Sequence, residues 1–291
     1  MSGRFCPLLK AFYRRWILYF QNAKISEPRA SAGILIADYF GYETYACIPR
    51  RLKFRRLNRL TRKNLEHSLA MRLQGKPVQY IVGKWSFMDV KVLVEPPVFI
   101  PRPETEELVN IALPFIGDFD KCLDLCCGSG CISCAILSRK PSCFLSAVDI
   151  SDAAISLTKR NLVLNKLMGN VLQLDIMQPT FKFNFPLNSV NIVVSNPPYI
   201  PSDIIPTLQS DVQAFESHLA LDGGFSGLDV ISKIIEDCAH ILAPGGNLFL
   251  EVDSTHQDFF TTFSSNSMSL IQSYLDFNNK FRFVHLQKNI S

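Results

Sequence analysis

The segment with the clearest chemical potential is V-V-S-N-P-P-Y-I-P, residues 193–201, where a β-favouring run ends in a rigid corner. The side-chain oxygen of Asn196 can accept one N–H of a planar amino or amide group, and the carbonyl of Pro197 can accept the second. Pro197 and Pro198 have fixed φ angles, which hold that carbonyl in place. Tyr199 offers the same group a flat ring face or a hydroxyl. The pattern predicts a substrate site for an sp² nitrogen, with Asn196, Pro197 and Tyr199 as its catalytic residues and Pro198 in the substrate-binding set.

A second feature is the loop D-L-C-C-G-S-G, residues 124–130, which lies between a predicted strand and a predicted helix. Glycines there let the backbone approach a ligand and point helix N–H groups at a negative group. Asp149 ends the next predicted strand, nineteen residues after Gly130, where a carboxylate can accept hydrogen bonds from both hydroxyls of a ribose. Asp175 ends the third predicted strand. These positions predict a nucleoside-containing cofactor.

Two cofactors fit this loop, a dinucleotide and S-adenosylmethionine. The dinucleotide fingerprint G-x-G-x-x-G requires a third glycine where this chain has Ser133. Asp124 lies in the loop region, where a pyrophosphate would repel a carboxylate, whereas the ammonium of a methionine moiety or the loop amides would attract it. The residues therefore favour S-adenosylmethionine.

The elements that position these residues follow from the alternation of strands and helices after residue 120. The predicted strands are KCLDL, CFLSAVD, NVLQLD, VNIVVSN and NLFLEV, and the predicted helices are CISCAILSRK, AAISLTKRNLVLNK and residues 228–242. This alternation predicts an α/β fold with a parallel, doubly wound sheet and helices on both faces. Ligands of such sheets bind at the carboxyl ends of the strands, so we expect the loop, the acids and the corner to share one cleft.

Charge divides the chain into two parts. Residues 1–72 contain fifteen Lys and Arg against four acids, whereas the remainder contains fifteen basic residues against twenty-two acids. The basic run 49–63 is typical of a surface for RNA or an acidic partner, and equally of a solvated helix face. Its one aromatic residue is Phe54, which is too few for base stacking along the run, so a nucleic-acid role is supported mainly by charge.

The composition excludes several classes of protein. Hydrophobic residues make up 47% and charged residues 19%, as in globular proteins, and the apolar stretches are too short and interrupted to span a membrane. Five cysteines fall within thirteen positions: Cys122, Cys126, Cys127, Cys131 and Cys134. We interpret them as reduced, buried thiols; a metal cluster would need a second C-x-x-C pair or a nearby histidine. No metal site is predicted.

The first twenty-six residues contain no acid and alternate basic with apolar side chains. This pattern is typical of a mitochondrial transit peptide, which we place at residues 1–21; the alternative is a basic first helix of the folded chain. Leucines near helical spacing predict a helical substrate-recognition domain over residues 22–84. A linker with a short hairpin is predicted over 85–103 and a catalytic domain over 104–291. The predicted localisation is mitochondrial, or cytoplasmic if the leader prediction fails.

Several motifs resemble one family of enzymes. The loop 124–130, Asp149 and N-P-P-Y are similar to class I S-adenosylmethionine-dependent methyltransferases that act on planar nitrogens. G-K-P-V-Q-Y-I-V-G (75–83), F-I-P-R-P-E-T-E-E-L-V (99–109), F-E-S-H-L-A-L-D-G-G (215–224) and D-F-N-N-K-F-R-F-V (276–284) narrow the resemblance. Together they resemble the HemK/PrmC family, the release-factor glutamine methyltransferases. The resemblance implies N5-methylation of the glutamine in the Gly-Gly-Gln loop of a peptide-chain release factor.

The resemblance also assigns residues to roles. The cofactor-binding residues that it implies, together with the acids noted above, are Asp124, Cys126, Cys127, Gly128, Ser129, Gly130, Asp149, Asp175, Ile176 and Asn196. Asn196 and the Pro197 carbonyl would bind the glutamine amide, with Tyr199 packed nearby. Arg102, Glu104 and Glu106 would shape the cleft mouth, and Arg102 would also join the substrate-binding set.

Departures from the family pattern fall in the same regions. Cys126 stands where methyltransferases generally have glycine, and Ile176 stands where relatives can have an aromatic residue against adenine. Ser217 and Ser226 replace a proline and an acid in loops that are candidates for substrate contact.

Two other functions remain: an adenine-N6 or other planar-nitrogen methyltransferase acting on nucleic acid, and a non-catalytic cofactor-binding protein. The first would use the basic N-terminal helices for phosphate contact.

Overall fold

Two units, divided between Gly83 and Lys84, make up the computed structural model, which describes residues 7–290. The first unit is helical, as predicted. Its described helices are α1 (Leu9–Asn22), α2 (Pro28–Tyr39), α3 (Arg50–Lys53), α4 (Arg59–Leu73) and α5 (Val78–Val82). Helix α4 begins at an N-cap, where the Asn58 side chain accepts a hydrogen bond of 2.8 Å from the backbone N–H of Thr61. Of the predicted leucine stripe, Leu65 and Leu69 are fully buried, whereas Leu60 is 67% exposed.

Helix α1 lies within the predicted mitochondrial leader. Residues 1–6 of that prediction fall outside the described residues. From Leu9 onward, one face of the helix, with Phe12, Trp16 and Phe20, is buried in the core of the helical unit. Cleavage after residue 21 would remove these side chains, and each buried aromatic is worth about 3–5 kcal/mol of stability. The basic, acid-free segment forms the first helix of the folded unit, and a leader that ends at residue 21 stays a prediction.

The second unit contains a β-sheet whose parallel strands lie at the predicted positions. Its described strands are β1 (Lys84–Phe87), β2 (Val90–Leu93), β3 (Lys121–Leu125), β4 (Phe144–Asp149), β5 (Asn170–Gln173), β6 (Val190–Ser195), β7 (Leu242–Glu251), β8 (Met268–Leu275) and β9 (Phe281–Lys288). Strands β3 to β9 form one seven-stranded sheet in the order β5-β4-β3-β6-β7-β9-β8. The pairs among β5, β4, β3, β6 and β7 are parallel. This is the expected doubly wound sheet.

Strands β8 and β9 were not predicted and are antiparallel to their neighbours, so the sheet is mixed at one edge. Their turn is held by Asp276, whose carboxylate accepts from the backbone N–H groups of Asn278 at 2.8 Å and Lys280 at 3.0 Å. Register shifts in β8 and its exposed residues blur the alternation that identifies a strand from sequence.

The helices of the second unit within the described residues include three close to the predicted positions 131–140, 153–166 and 228–242. The described helices are α6 (Pro103–Ala112), α7 (Cys131–Arg139), α8 (Asp152–Leu164), α9 (Ser210–Phe215), α10 (Asp229–Ile241) and α11 (Gln257–Thr261). Helix α6 begins with proline in its first turn, and Glu104 and Glu106 lie near its positive end. Residues of α10 that face the sheet, among them Ile231, Ile234 and Ile241, are fully buried.

Strands β1 and β2 form the hairpin predicted within residues 85–103, and that hairpin belongs to the second unit. Asn161 on α8 ties it to the loop after β3. Its side-chain oxygen accepts from the Leu93 N–H at 2.6 Å, and its amide donates to the carbonyls of Leu93 at 3.1 Å and Ser129 at 2.8 Å. These bonds satisfy buried backbone groups of both segments and fix the loop against α8.

The clustered cysteines are free thiols, as predicted. Cys122, Cys127, Cys131 and Cys134 are buried, and Cys126 is partly buried. Burial raises the pKa of the Cys127 thiol, which keeps it protonated. Across residues 7–290 no group of histidines, cysteines and acids has an arrangement suited to a metal ion. No helix in that range combines the length and apolar character needed to cross a bilayer.

Candidate active site

The predicted functional segments meet in one cleft of about 610 Å³ at the carboxyl ends of the parallel strands. The predicted residues that line it are Cys126, Cys127, Gly128, Ser129, Asp149, Asp175, Ile176, Asn196, Pro197, Pro198 and Tyr199. Asp124, Gly130 and Arg102 lie behind or beside this lining. A volume of this size accommodates a nucleoside-containing cofactor.

The loop between β3 and α7 has left-handed backbone at three positions. Their φ angles are +59° at Cys126, +54° at Gly128 and +74° at Gly130. A side chain at Gly130 would lie 2.7 Å from the Thr158 methyl group, so this position requires glycine for space as well as for φ. Cys126 adopts a conformation that costs a residue with a side chain about 1–2 kcal/mol, which explains why glycine is usual there.

Asp149 lies at the end of β4 with both carboxylate oxygens facing backbone donors. Oδ2 accepts from the Gly128 N–H at 2.9 Å, and Oδ1 accepts from the Ser151 N–H at 2.9 Å. Burial raises the pKa of Asp149, and these backbone bonds oppose that rise. Each carboxylate oxygen retains a second lone pair, so the group can still accept hydroxyl donors from the cleft.

Asp124 is fully buried beneath the loop, and it does not line the cleft. Its Oδ2 accepts from the Ser133 hydroxyl at 2.5 Å and from the Ser133 N–H at 3.1 Å. Burial raises the pKa of Asp124 to about 7, although both bonds from Ser133 act to lower it. Its Oδ1 has no hydrogen-bond partner among the described residues. The carboxylate therefore anchors the start of α7, and its second oxygen is an unsatisfied acceptor directly below the cofactor loop.

The segment after β5 supplies another wall. Asp175 stabilises its own turn by accepting from the Met177 N–H at 2.8 Å and from the Gln178 amide at 3.0 Å. Ile176 lines the cleft while packing into the main core, and Met177 lines it while remaining 47% exposed. The wall that this chain offers to a planar ring is therefore aliphatic.

The corner after β6 is joined to two distant elements by hydrogen bonds. The Asn196 side-chain amide donates to the Thr105 hydroxyl at 3.1 Å. Thr105, on α6, donates to Glu251 Oε2 at 2.8 Å, and the Tyr199 hydroxyl donates to Glu251 Oε1 at 3.0 Å. Because the Asn196 nitrogen is committed to Thr105, its oxygen is left available to the cleft that this side chain lines. The tyrosine contributes a ring face, since its hydroxyl is already bonded.

Close backbone packing holds the corner from behind. A Cβ at Gly223 would lie 2.7 Å from the Tyr199 Cα, and one at Gly227 would meet the Tyr199 carbonyl oxygen. The Pro197 carbonyl, by contrast, accepts no hydrogen bond recorded among residues 7–290. The corner thus combines a fixed backbone with two oxygen atoms that remain available as acceptors.

Arg102, predicted in the substrate-binding set, lies beside the cleft lining and is bonded to a buried acid. Its guanidinium donates to Glu216 Oε1 at 2.5 Å and lies 4.7 Å from the centre of the Phe99 ring. Glu216 is buried and also accepts from the Ile100 N–H at 3.4 Å. Arg102 therefore joins the segment after β2 to the loop after α9, and both segments contribute residues to the cleft.

Three site residues were missed in the sequence: Thr105, Glu216 and Glu251. Thr105 lies inside the quoted motif P-R-P-E-T-E, and Glu251 lies one residue before the end of the predicted strand NLFLEV, near a position that often carries function in parallel sheets. No local pattern links Thr105 and Glu251 to the corner, because their partners there are 91 and 52 residues away. Glu216 is 114 residues from its partner Arg102.

The cleft fits S-adenosylmethionine. The left-handed glycine backbone at Gly128 and the acceptor Asp149 on the neighbouring strand both line the cleft and suit a group with a ribose. The fold and the cleft define a class I S-adenosylmethionine-dependent methyltransferase.

Comparison with known proteins narrows this class. The model of the PrmC N-terminal domain matches residues 12–83, and that of the methyltransferase small domain matches residues 107–212. The MTRF1L release factor glutamine methyltransferase of Homo sapiens is 32% identical over 289 residues, covering 94% of this chain and 86% of the human protein. The release factor glutamine methyltransferase of Chlorobaculum tepidum is 31% identical over 274 residues, covering 90% of this chain and 91% of that protein. That of Gloeobacter violaceus is 38% identical over 181 residues, covering 62% of each chain.

The chain belongs to the release factor glutamine methyltransferases, the HemK/PrmC family. The family, the fold and the cofactor are those predicted from the sequence.

Proposed function

We propose that this enzyme transfers a methyl group from S-adenosylmethionine to the side-chain nitrogen of the glutamine in the Gly-Gly-Gln loop of a peptide-chain release factor. The observation that carries the proposal is the Asn196 amide, whose nitrogen is bonded to Thr105 while its oxygen remains available beside the Pro197 carbonyl. Two oxygen acceptors on a rigid corner suit the two N–H bonds of a primary amide.

The residues of the corner act by alignment. Asn196 Oδ1 and the Pro197 carbonyl each accept one N–H of the glutamine amide, which fixes the plane of that group. The ring of Tyr199 excludes water from one side. When bound, S-adenosylmethionine supplies an electrophilic methyl group on a sulfonium. The glutamine nitrogen would take up this methyl group while the sulfur keeps the electrons of the broken bond, and the nitrogen would then release one proton to water. The two acceptors orient the nitrogen toward the methyl group and stabilise positive charge on the N–H bonds as it develops.

The cofactor residues have distinct proposed roles. Asp149 accepts from the ribose hydroxyls, and the backbone of Cys126 to Gly128 lies against the methionine moiety. Ile176 and Met177 contact the adenine through aliphatic side chains. Asp124 and Gly130 support the loop from below, because neither lines the cleft.

Substrate recognition is proposed to extend to the helical unit. Its exposed basic residues include Arg50, Arg51, Arg55, Arg56 and Arg59. The same residues would bind phosphate groups in the alternative function on nucleic acid, so binding alone does not separate the two functions.

The decisive experiment is mass spectrometry of a release factor incubated with the enzyme and S-adenosylmethionine. One added methyl on the glutamine of Gly-Gly-Gln supports the proposal, and a release factor with that glutamine changed to glutamate is the matched control. Methyl groups found on added RNA or DNA, with the glutamine unmodified, would contradict it. A flat salt dependence of substrate binding would argue against phosphate contacts.

Mitochondrial localisation is proposed as well, with α1 acting as an uncleaved signal. The support is its basic, acid-free sequence, in which Arg14 and Arg15 are exposed opposite the buried apolar face. A fluorescent protein fused to residues 1–26 should enter mitochondria, and the same fusion with both arginines changed to glutamate should not. Cytosolic fluorescence from the unmodified fusion would contradict the proposal.

A further inference from the structure

A continuous chain of hydrogen bonds runs from Asn196 into the protein core. It passes from the Asn196 nitrogen to the Thr105 hydroxyl at 3.1 Å and from that hydroxyl to Glu251 Oε2 at 2.8 Å. The Tyr199 hydroxyl bonds the other oxygen of the same carboxylate at 3.0 Å. Both sides of the corner, the amide and the tyrosine, therefore converge on one acid.

The direction of each bond in this chain follows from the acid. An ionised carboxylate can only accept, so the hydroxyls of Thr105 and Tyr199 must each donate to it. Once the Thr105 proton points at Glu251, the Thr105 oxygen can only accept in the direction of Asn196. The amide must then present its nitrogen to Thr105, which leaves the oxygen for the cleft. The opposite amide orientation would place two acceptors against each other.

The surroundings of Glu251 show how its charge is balanced. The residue is 1% exposed at the end of β7, and the charged groups that act on it are Arg282 on β9 and Glu104 on α6. Asp253, in the turn after β7, raises the pKa of Tyr199 through its negative charge. Burial raises the pKa of Glu251 to about 7, while Thr105, Tyr199 and Arg282 oppose that rise. Burying an acid whose pKa is near 7 lowers the stability of the fold, and such acids are found mainly at functional sites.

We propose that Thr105 and Glu251 are positioning residues that fix the orientation of the Asn196 amide, so that its oxygen rather than its nitrogen faces the substrate. The inference rests on the proposed function, because the oxygen is needed only if the substrate presents an N–H. Glu251 does not line the cleft, and the Thr105 hydroxyl, which does, is occupied by its bonds to Asn196 and Glu251. They act through Asn196 and, in the case of Glu251, through Tyr199.

The first test compares two substitutions at Thr105. Thr105→Val keeps the shape of the side chain but removes its hydroxyl, so the Asn196 amide no longer has a preferred orientation. We expect kcat to fall about tenfold, which corresponds to the loss of one hydrogen bond. Thr105→Ser keeps the hydroxyl and should remain within about threefold of wild type on the same scale. The dissociation constant of S-adenosylmethionine, measured by calorimetry, should stay within about twofold in both variants. Equal kcat for the valine and serine variants would overturn the proposal.

The second test uses Glu251→Gln, which keeps the size of the side chain but replaces one acceptor by a donor. The wild-type kcat should fall as pH decreases through about 7. A protonated Glu251 can donate a hydrogen bond, so the directions of the hydrogen bonds from Glu251 to Asn196 are no longer fixed. In the glutamine variant kcat should be about tenfold lower at pH 8, and this acid limb should flatten. An unchanged acid limb with a normal kcat would overturn the proposal.

Methylation assays of wild type and variants distinguish a failure of the proposed function from a failure of the positioning role. If wild-type enzyme leaves the glutamine of Gly-Gly-Gln unmethylated, the proposed function itself fails. If wild type is active and Thr105→Val and Glu251→Gln match it in kcat and pH profile, the function stands and the positioning role fails. Thermal unfolding of each variant identifies any loss of kcat that comes from unfolding.

Discussion

Gly227 lies 28 residues from Tyr199 in sequence, yet its replacement should damage the corner directly. Its φ is +73°, and a Cβ there would meet the Tyr199 carbonyl oxygen, with the Tyr199 carbonyl carbon at 3.1 Å and His256 Nε2 at 3.0 Å. In Gly227→Ala the left-handed backbone costs about 1–2 kcal/mol. Forcing a methyl against backbone adds about 1–3 kcal/mol. The expected destabilisation is therefore about 2–5 kcal/mol.

Gly245 provides a matched control in the same unit. Its φ is +76°, and the nearest atoms to a Cβ there are side-chain carbons of Ile290 at 3.8 Å, an ordinary contact. Gly245→Ala should show the backbone cost alone, about 1–2 kcal/mol. In a unit of this size each kcal/mol lowers Tm by about 2–4 °C, so calorimetry can separate the two variants.

Activity should separate them further. The methyl group of Gly227→Ala pushes on Tyr199, and the rigid prolines transmit the shift to the Pro197 carbonyl. A displacement of about 1 Å at such a site can lower kcat about 10²-fold. Gly245→Ala should keep wild-type kcat at temperatures where it is folded. The reasoning would be refuted if both variants lost the same stability and the same small fraction of kcat.

Three further predictions concern the site, the helical unit and pH. Asn196→Ala should retain most S-adenosylmethionine affinity by calorimetry while losing about 10²-fold in kcat, since it removes an acceptor needed in the transition state; equal loss of both would assign Asn196 to the cofactor. Phe20→Ala should destabilise the protein by about 3–5 kcal/mol in urea unfolding followed by circular dichroism. Leu18→Ala, at a position 58% exposed on the same helix, should change little; matching effects would argue against a buried α1. Because burial raises the pKa of Asp124 to about 7, the folded state holds a proton that the unfolded state releases near pH 4. Stability should therefore fall as pH rises from about 4 to 7, by at most about 1.4 kcal/mol per unit for this group, and Asp124→Asn should flatten that slope, with an unchanged slope excluding this assignment.

The parts of the site that could be predicted from the sequence are those that lie at the ends of predicted strands. The loop after β3, Asp149 and the corner at Asn196 each follow a short apolar run, and parallel strands bring such ends together. The order of the strands was not needed for this inference. Alternation of strands and helices was enough, because it restricts the fold to a doubly wound sheet.

The parts that could not be predicted depend on partners distant in sequence. Arg102 has the chemistry of a substrate contact, yet in the fold it is bonded to Glu216, which is 114 residues away. The leader prediction for residues 1–21 meets a related ambiguity. An apolar helix face with basic residues opposite it is the same pattern whether the face binds a receptor or a protein core.

The corner at Asn196 likewise has some properties that its motif predicts and others that depend on residues distant in sequence. N-P-P-Y defines which atoms are present, but an asparagine amide has a donor end and an acceptor end that differ little in size. Which end faces the cleft depends on Thr105, and the proton of Thr105 depends on Glu251, 146 residues further along the chain. A change at Glu251 would leave the motif intact and still reverse what the motif presents. The chemistry of this corner therefore belongs to three elements, β6, α6 and β7, of which only the first could be identified by its motif.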